Sequence, residues 1–270
     1  MRTGSERIGL GRGSRRGSSR SGAWALVLAG VAGTPAAAQH TWTGAAGTVS
    51  WCSPQNWDPM TVPPDGAAIS VGPGYALVDM FPCPNEHRTL GYVGAESPVR
   101  FWTPVTFSGG ADLANPILSL GASPTPIAGE VIVGGEAAEW EGGIFTGGTL
   151  RNLGVLTVDR SYFGGRVDVR GLDGGGTLAN EGTLAVISSI VIQAAGTLEN
   201  TGEIRAAGNG SITGAGPLEN TGRIVVPQGR TFTIDAALDS DGTIEVEGTL
   251  AVTPADLEGS VVVGGAGGGG

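Results

Sequence analysis

A motif that returns every 20 residues limits what this chain can fold into more than any other feature. Gly-Thr-Leu-x-Asn-x-Gly-x-(Leu/Ile) begins at Gly176 and recurs at Gly196. It returns at Gly216 with Pro217 in place of Thr, and in eroded form as Ala236-Ala237-Leu238. An earlier copy starts at Gly148, so the motif leucines are Leu150, Leu178, Leu198, Leu218 and Leu238, stepped by 28 and then three times by 20. Three further columns keep the 20-residue step: Asn180/Asn200/Asn220/Ser240, Gly182/Gly202/Gly222/Gly242 and Leu184/Ile204/Ile224/Ile244. The same step places Ile192, Ile212, Phe232 and Val252 in a fifth column. A fixed period of this length marks a stacked repeat, in which each unit covers the apolar face of the next.

Inside each repeat the period is two. Thr183-Leu184-Ala185-Val186, Arg223-Ile224-Val225-Val226 and Thr243-Ile244-Glu245-Val246 put apolar residues at even positions and mostly polar ones at odd positions. That is the pattern of a strand with one buried face. A coil of about 20 residues with two or three such strands is one turn of a solenoid. The sequence therefore predicts an all-β, single-stranded, right-handed parallel β-helix, with Leu178, Leu198, Leu218 and Leu238 in one buried stack. Inward Asn180, Asn200 and Asn220 are expected to bond to one another as an amide ladder. The competing reading offers those amides to sugar hydroxyls. The glycine that follows each Asn is expected to supply a positive φ at the turn.

Glycine supplies 50 of 270 residues, yet no strict Gly-x-y period runs through them, which excludes collagen. A hydrophobic content of 40% is enough for a core and argues against general disorder. All 15 basic residues are Arg, and Arg2, Arg7, Arg12, Arg15, Arg16 and Arg20 fall in the first 20 positions. Without that segment, which also holds Glu6, 9 Arg face 24 acids, a net charge near −15. Such a surface repels phosphate, so nucleic acid is not an expected partner.

The basic start leads into an apolar run from Ala23 to Ala32, then Pro35-Ala36-Ala37-Ala38 before Gln39. This order reads as an export signal spanning 1–38, cleaved near Ala38. An apolar run of about 10–12 residues is too short to cross ~30 Å of hydrocarbon, so no transmembrane helix is expected in the mature chain. The protein is placed in the secreted fraction or on a bacterial cell surface. Cys52 and Cys83 are the only cysteines, and an even pair in an exported chain suggests a disulfide. Unpaired thiols are the alternative.

The mature chain divides into a capping region, 39–108, a β-helix, 109–263, and a Gly-rich flexible tail, 264–270. The capping region is rich in aromatics: Trp42-Thr43-Gly44, Trp51, Asn56-Trp57, then Pro63-Pro64-Asp65-Gly66. Tryptophans there suit either the cover a solenoid end requires or a sugar-stacking platform. The Trp-x-Gly…Trp…Asn-Trp…Pro…Gly opening, followed by Gly-Thr-Leu-x-Asn-x-Gly repeats, resembles bacterial autotransporter passengers and haemagglutinin-type β-helix repeat proteins. The resemblance covers residues 41–71 and 140–252 and includes Trp140-x-Gly142-Gly143-x-Phe145-x-Gly147-Gly148-x-Leu150. It implies adhesins or surface scaffolds, with surface glycans or other surface proteins as partners. No stop-transfer helix and no run of amphipathic barrel strands is visible, so any anchor is expected outside these residues.

Signatures of common catalytic sites are missing: Gly-x-Ser-x-Gly, His-Glu-x-x-His, a P-loop or a Cys-x-x-Cys. His40 and His87 are the only histidines, and neither is placed for a catalytic dyad. No catalytic residue and no cofactor is assigned. The enzymatic rival is a polysaccharide lyase or glycosidase, which needs convergent carboxylates or carboxylate-bound calcium. Its best location is the eight-residue insertion between the first two clear repeats, with Asp159, Arg160, Tyr162, Arg166, Asp168, Arg170 and Asp173. Plain alternation, with Val167 and Val169 buried, accounts for the same charges. A second candidate is the outward column Glu199, Glu219 and Asp239, three carboxylates stacked about 5 Å apart, where a bridging Ca²⁺ competes with simple solvation. At that spacing each neighbouring pair costs ~1 kcal/mol or less in water. Two function classes follow: a non-catalytic surface scaffold, or an extracellular polysaccharide-binding or polysaccharide-cleaving protein.

Overall fold

The computed structural model describes residues 39–48, 50–75, 78–80, 88–101, 105–127, 129–159, 167–170, 175–253, 255–257 and 259–263. The period-two segments form short strands, and like strands of successive coils pair in parallel. Three ladders result. In the repeat region the first contains Thr149–Asn152, Thr177–Asn180 and Thr197–Asn200, then residues 218–220 and 237–240, and finally Ala255–Leu257. The second is Val155–Val158, Thr183–Val186, Glu203–Ala206, Arg223–Val226, Thr243–Val246 and Ser260–Val263. The third runs through Val167–Arg170, Ser189–Ile192, the starts of Ser211–Asn220 and Thr231–Ser240, and Thr249–Val252. The fold is an all-β β-solenoid with no α-helix among the described residues.

The motif leucines stack as the period requires. Leu150, Leu178, Leu198, Leu218 and Leu238 pair one above another on the first ladder, each no more than 2% exposed. Leu184, Ile204, Ile224 and Ile244 do the same on the second ladder. Burying one such side chain contributes about 1.5–3 kcal/mol, so the columns supply much of the driving force for stacking.

The fifth column is different. Ile190 pairs with Ile212, Ile212 with Ile234 and Ile234 with Val252, whereas Ile192 meets Gly214 and Phe232 meets Leu250. Steps on this ladder are therefore 22, 22 and 18 residues. Corner lengths explain the shift. Counted to the positions in register with one another, the corner holds two residues between Val186 and Ser189, four between Ala206 and Ser211, six between Val226 and Thr233, and four between Val246 and Ala251. The corner between first and second ladders is constant at two residues: Glu181-Gly182, Thr201-Gly202, Thr221-Gly222 and Asp241-Gly242.

The glycines of that constant corner serve a purpose other than the expected one. Gly182, Gly202, Gly222 and Gly242 do not have positive φ. They are required because the coils touch backbone to backbone here. A Cβ on Gly222 would run into the carbonyl oxygen of Gly202, and one on Gly202 into that of Gly182.

The stack also begins earlier than residue 109. His40–Trp42 pairs in parallel with Ile69–Val71, then follow Val93–Ala95, Ala111–Ala114, Glu130–Gly134 and Thr149–Asn152. The first ladder thus crosses the 108/109 boundary unbroken, because Ile69 and Val71, then Val93 and Ala95, already bury alternate positions as Ala111 and Leu113 do after them. The aromatic cover is confined to the first rung. Trp57–Asp58 pairs antiparallel with Thr41 and Trp42. Trp57 stands edge-on to Trp51 at 4.5 Å and to Trp42 at 5.0 Å. Its indole N–H donates to the Trp51 carbonyl at 2.9 Å.

Candidate functional site

The first ladder carries the acidic column. Glu199 pairs in register with Glu219, and Glu219 with Asp239, all three exposed. The backbone register extends the column to Asp256. Side chains on neighbouring rungs of a parallel ladder project side by side rather than toward a common point. Among the described residues no three His, Cys, Asp or Glu side chains assemble into a group able to hold a metal ion.

The second ladder treats charge in the opposite way. Arg223 Nη1 donates to Glu203 on the coil before at 2.8 Å, and its Nη2 to Glu245 on the coil after at 2.7 Å. Arg223 Nε adds a second bond to Glu245 at 3.2 Å. On the first ladder, Arg151 likewise grips the corner residue Glu181 of the coil after with Nε and Nη2 at 2.6 and 3.0 Å. Hydrogen bonding by the guanidinium, more than its charge alone, holds the Glu181 and Glu245 carboxyls below the ordinary value of 4.5, and each arginine is raised in turn. The Glu203 to Arg223 pairing could have been read from the 20-residue step. The Arg223 to Glu245 pairing runs diagonally, 22 residues on, and only the folded register discloses it.

Asn180, Asn200 and Asn220 are each about 1% exposed. Their amides donate in one direction along the stack: Asn152 to Asn180 at 2.7 Å, Asn180 to Asn200 at 2.6 Å, Asn200 to Asn220 at 2.6 Å, and Asn220 to Ser240 Oγ at 2.8 Å. Each of Asn152, Asn180 and Asn200 also donates to a carbonyl on the coil after it, those of Thr183, Glu203 and Arg223. Groups engaged in this way, beneath the surface, have no face to offer a sugar.

Of the insertion, Arg160, Tyr162, Arg166 and Asp173 lie outside the described residues. Asp168 and Arg170 belong to Val167–Arg170, which pairs with residues 143–146 below and Ser189–Ile192 above. Asp159 follows Val155–Val158 and is half-buried. Glu141, to which the sequence assigned no role, is a carboxylate only 4% exposed in the strand Ala138–Thr146. Its position beside Trp140 and two glycines was the available signal. A void lined by Ile127, Trp140, Phe145, Leu150 and Leu178 is too narrow to admit water.

His40 is buried, with Nε2 3.2 Å from the Thr61 hydroxyl and its ring edge-on to Trp57. Cys52 is half-buried against the aromatic cluster, and Cys83 and His87 lie outside the described residues. No helix among the described residues is long and apolar enough to cross a membrane. No protein-family model matches the chain, and no curated protein or solved structure is significantly similar to it.

Proposed function

We propose that the mature chain is an exported, non-catalytic surface scaffold of adhesin-like character. The observation that carries this reading is the contrast between the two sides of the strands. Inward columns repeat from coil to coil on all ladders, while the outward positions of the second ladder change from Glu203 to Arg223 to Thr243, with Glu203 and Arg223 paired to each other. A rod selected for its length and stiffness needs the first kind of regularity and not the second. Residues 1–38 support export, and the Trp-x-Gly opening with Gly-Thr-Leu-x-Asn-x-Gly repeats supports kinship with autotransporter passengers and haemagglutinin-type repeats. Surface glycans or other surface proteins are the partners this reading assigns. An oxidised Cys52–Cys83 pair belongs to the same reading.

A second reading, a polysaccharide-binding or polysaccharide-cleaving protein, rests on the 28-residue coil that places Asp168 and Arg170 on a strand beside Ala138–Thr146. The test applies the purified protein to a glycan array and then incubates it with every polysaccharide it retains. Retention without new reducing ends or unsaturated products is the expected result. Turnover would replace the scaffold reading with the enzymatic one. Surface labelling of intact cells, with a mature N-terminus at Gln39, checks export separately.

A further inference from the structure

The sequence holds a single Asn-Gly pair, Asn209-Gly210. It sits in the corner 207–210 that leads from Glu203–Ala206 into Ser211–Asn220. In such a pair the glycine nitrogen can attack the asparagine side-chain amide, because no Cβ shields it. The comparable Asp-Gly pairs hold that nitrogen back: the Gly66 N–H donates to the Thr89 carbonyl at 2.8 Å, and the Gly242 N–H to the Asn220 carbonyl at 3.0 Å. The Gly210 N–H makes no hydrogen bond among the described residues, although Gly210 itself is buried. Buried backbone N–H groups left in that state are rare in native structures.

The group it would attack is polarised. Asn209 is exposed, and its Oδ1 accepts the Thr231 N–H of the coil after at 3.0 Å. A donor fixed on that oxygen draws charge from Cγ and faces the atom on which negative charge develops as a nucleophile adds. Packing retains the glycine, since a Cβ on Gly210 would run into the Ser188 carbonyl oxygen. Asn152, Asn180, Asn200 and Asn220 differ on every count: they are buried, and each gives its amide N–H to the ladder.

We propose that Asn209 is a self-modification site, activated by the Thr231 N–H, at which Gly210 N attacks Asn209 Cγ and the amide is converted to a carboxylate. Solvent takes the Gly210 amide proton as the N–Cγ bond forms. The Cγ–Nδ2 bond then breaks, and the nitrogen leaves as ammonia with a proton returned from solvent. Water opens the resulting cyclic imide. Opening between Cγ and nitrogen gives an ordinary aspartate; opening at the main-chain carbonyl gives isoaspartate, whose backbone is longer by a methylene. The corner can absorb that methylene, because its length already ranges from two to six residues among the coils. The rod gains a negative charge and keeps its coils. This inference does not depend on the scaffold reading.

The test incubates the purified protein in mildly alkaline, heavy-oxygen water and follows each asparagine by peptide mapping. Label and loss of the amide are expected at Asn209 well ahead of the four ladder asparagines, faster as pH rises because the attacking group is the amide anion. An isoaspartyl methyltransferase should then transfer a labelled methyl group to the same peptide, while the thermal midpoint of the aged protein stays unchanged. Asn209 should react several-fold faster in the folded protein than in the chain unfolded in urea, since only the fold sets the Thr231 N–H against Oδ1. Asn209→Gln, which disfavours the ring, should abolish the modification. Thr231→Pro removes the donor at the first residue of a strand, where proline is tolerated, and should slow the reaction several-fold. Asn209 left intact in the folded protein, or reacting no faster there than in urea, would overturn the proposal. So would an unchanged rate in a folded Thr231→Pro protein, and the comparison with urea decides the matter if that variant does not fold.

Discussion

The side-chain amide of Asn200 donates to Oδ1 of Asn220 at 2.6 Å, across the gap between two coils and with no water between them. Asn180 donates to Asn200 at the same distance, so Asn200 is held from both sides inside the core. Asn200→Ala leaves a buried donor on Asn180 and a buried acceptor on Asn220, and should cost about 1–3 kcal/mol. Glu199→Ala, one residue away but exposed, should stay within about 0.5 kcal/mol. Urea unfolding of the two variants checks the difference, and equal effects would remove the ladder from the account of stability.

Gly222→Ala should be more damaging than a change at a turn glycine with room around it. The new methyl group would press on the Gly202 carbonyl, where neither backbone can retreat without separating two coils. A cost of about 3 kcal/mol is expected. Gly229 has φ +75 and open space around its Cβ position, so Gly229→Asn, which tolerates that conformation, should cost about 1 kcal/mol or less. Thermal or urea midpoints rank the two.

Glu245 should titrate below the ordinary carboxyl value because Arg223 donates two hydrogen bonds to it. A carboxyl depressed by folding favours the native state above its unfolded pKa, and that contribution disappears as pH falls through the lower folded pKa. The effect is therefore confined to acid, below 4.5. Arg223→Gln should return the Glu245 titration toward 4.5 by carbon-detected NMR and flatten the acid limb of stability there.

Calcium should leave the melt where it is. Saturation at 100 times the dissociation constant would add about 2.7 kcal/mol if an ion bound the native chain alone. The column Glu199, Glu219 and Asp239 projects its carboxylates side by side, so melts in millimolar calcium and in chelator are expected to coincide. Glu219→Gln should relieve like charges and raise the midpoint slightly, by ~1 kcal/mol or less. A calcium shift abolished by that variant would make the column a cation site.

A non-reduced peptide map should link Cys52 to Cys83. Closing about 30 residues contributes roughly 3–4 kcal/mol in the chain-entropy treatment. Reduction should lower the midpoint accordingly, and ready alkylation of both thiols without reductant would sink the pairing.

What the sequence disclosed and what it hid follow from one physical distinction. Leu178, Leu198, Leu218 and Leu238 were legible because the first ladder returns at a constant step, so equal numbers mark equal positions. Ile190, Ile212, Ile234 and Val252 were not, because the corner ahead of them changes length from coil to coil and numerical period parts from spatial period. The glycine column was visible as a column, but its cause was not, since close approach between backbones leaves no trace in composition. The Arg223 to Glu245 pair was hidden for a different reason: the second ladder keeps its step of 20, but the pair crosses that register diagonally.

The constant two-residue corner has a consequence for how such a rod can change over generations. Where Asn and Gly lock successive coils, a single added residue would throw every later coil out of step. The other two corners already differ in length from coil to coil, including the eight residues between Val158 and Val167. One edge of the prism therefore acts as a keel that heredity must copy faithfully. The opposite edges can lengthen, shorten and acquire new loops while the rod beneath them stays the same.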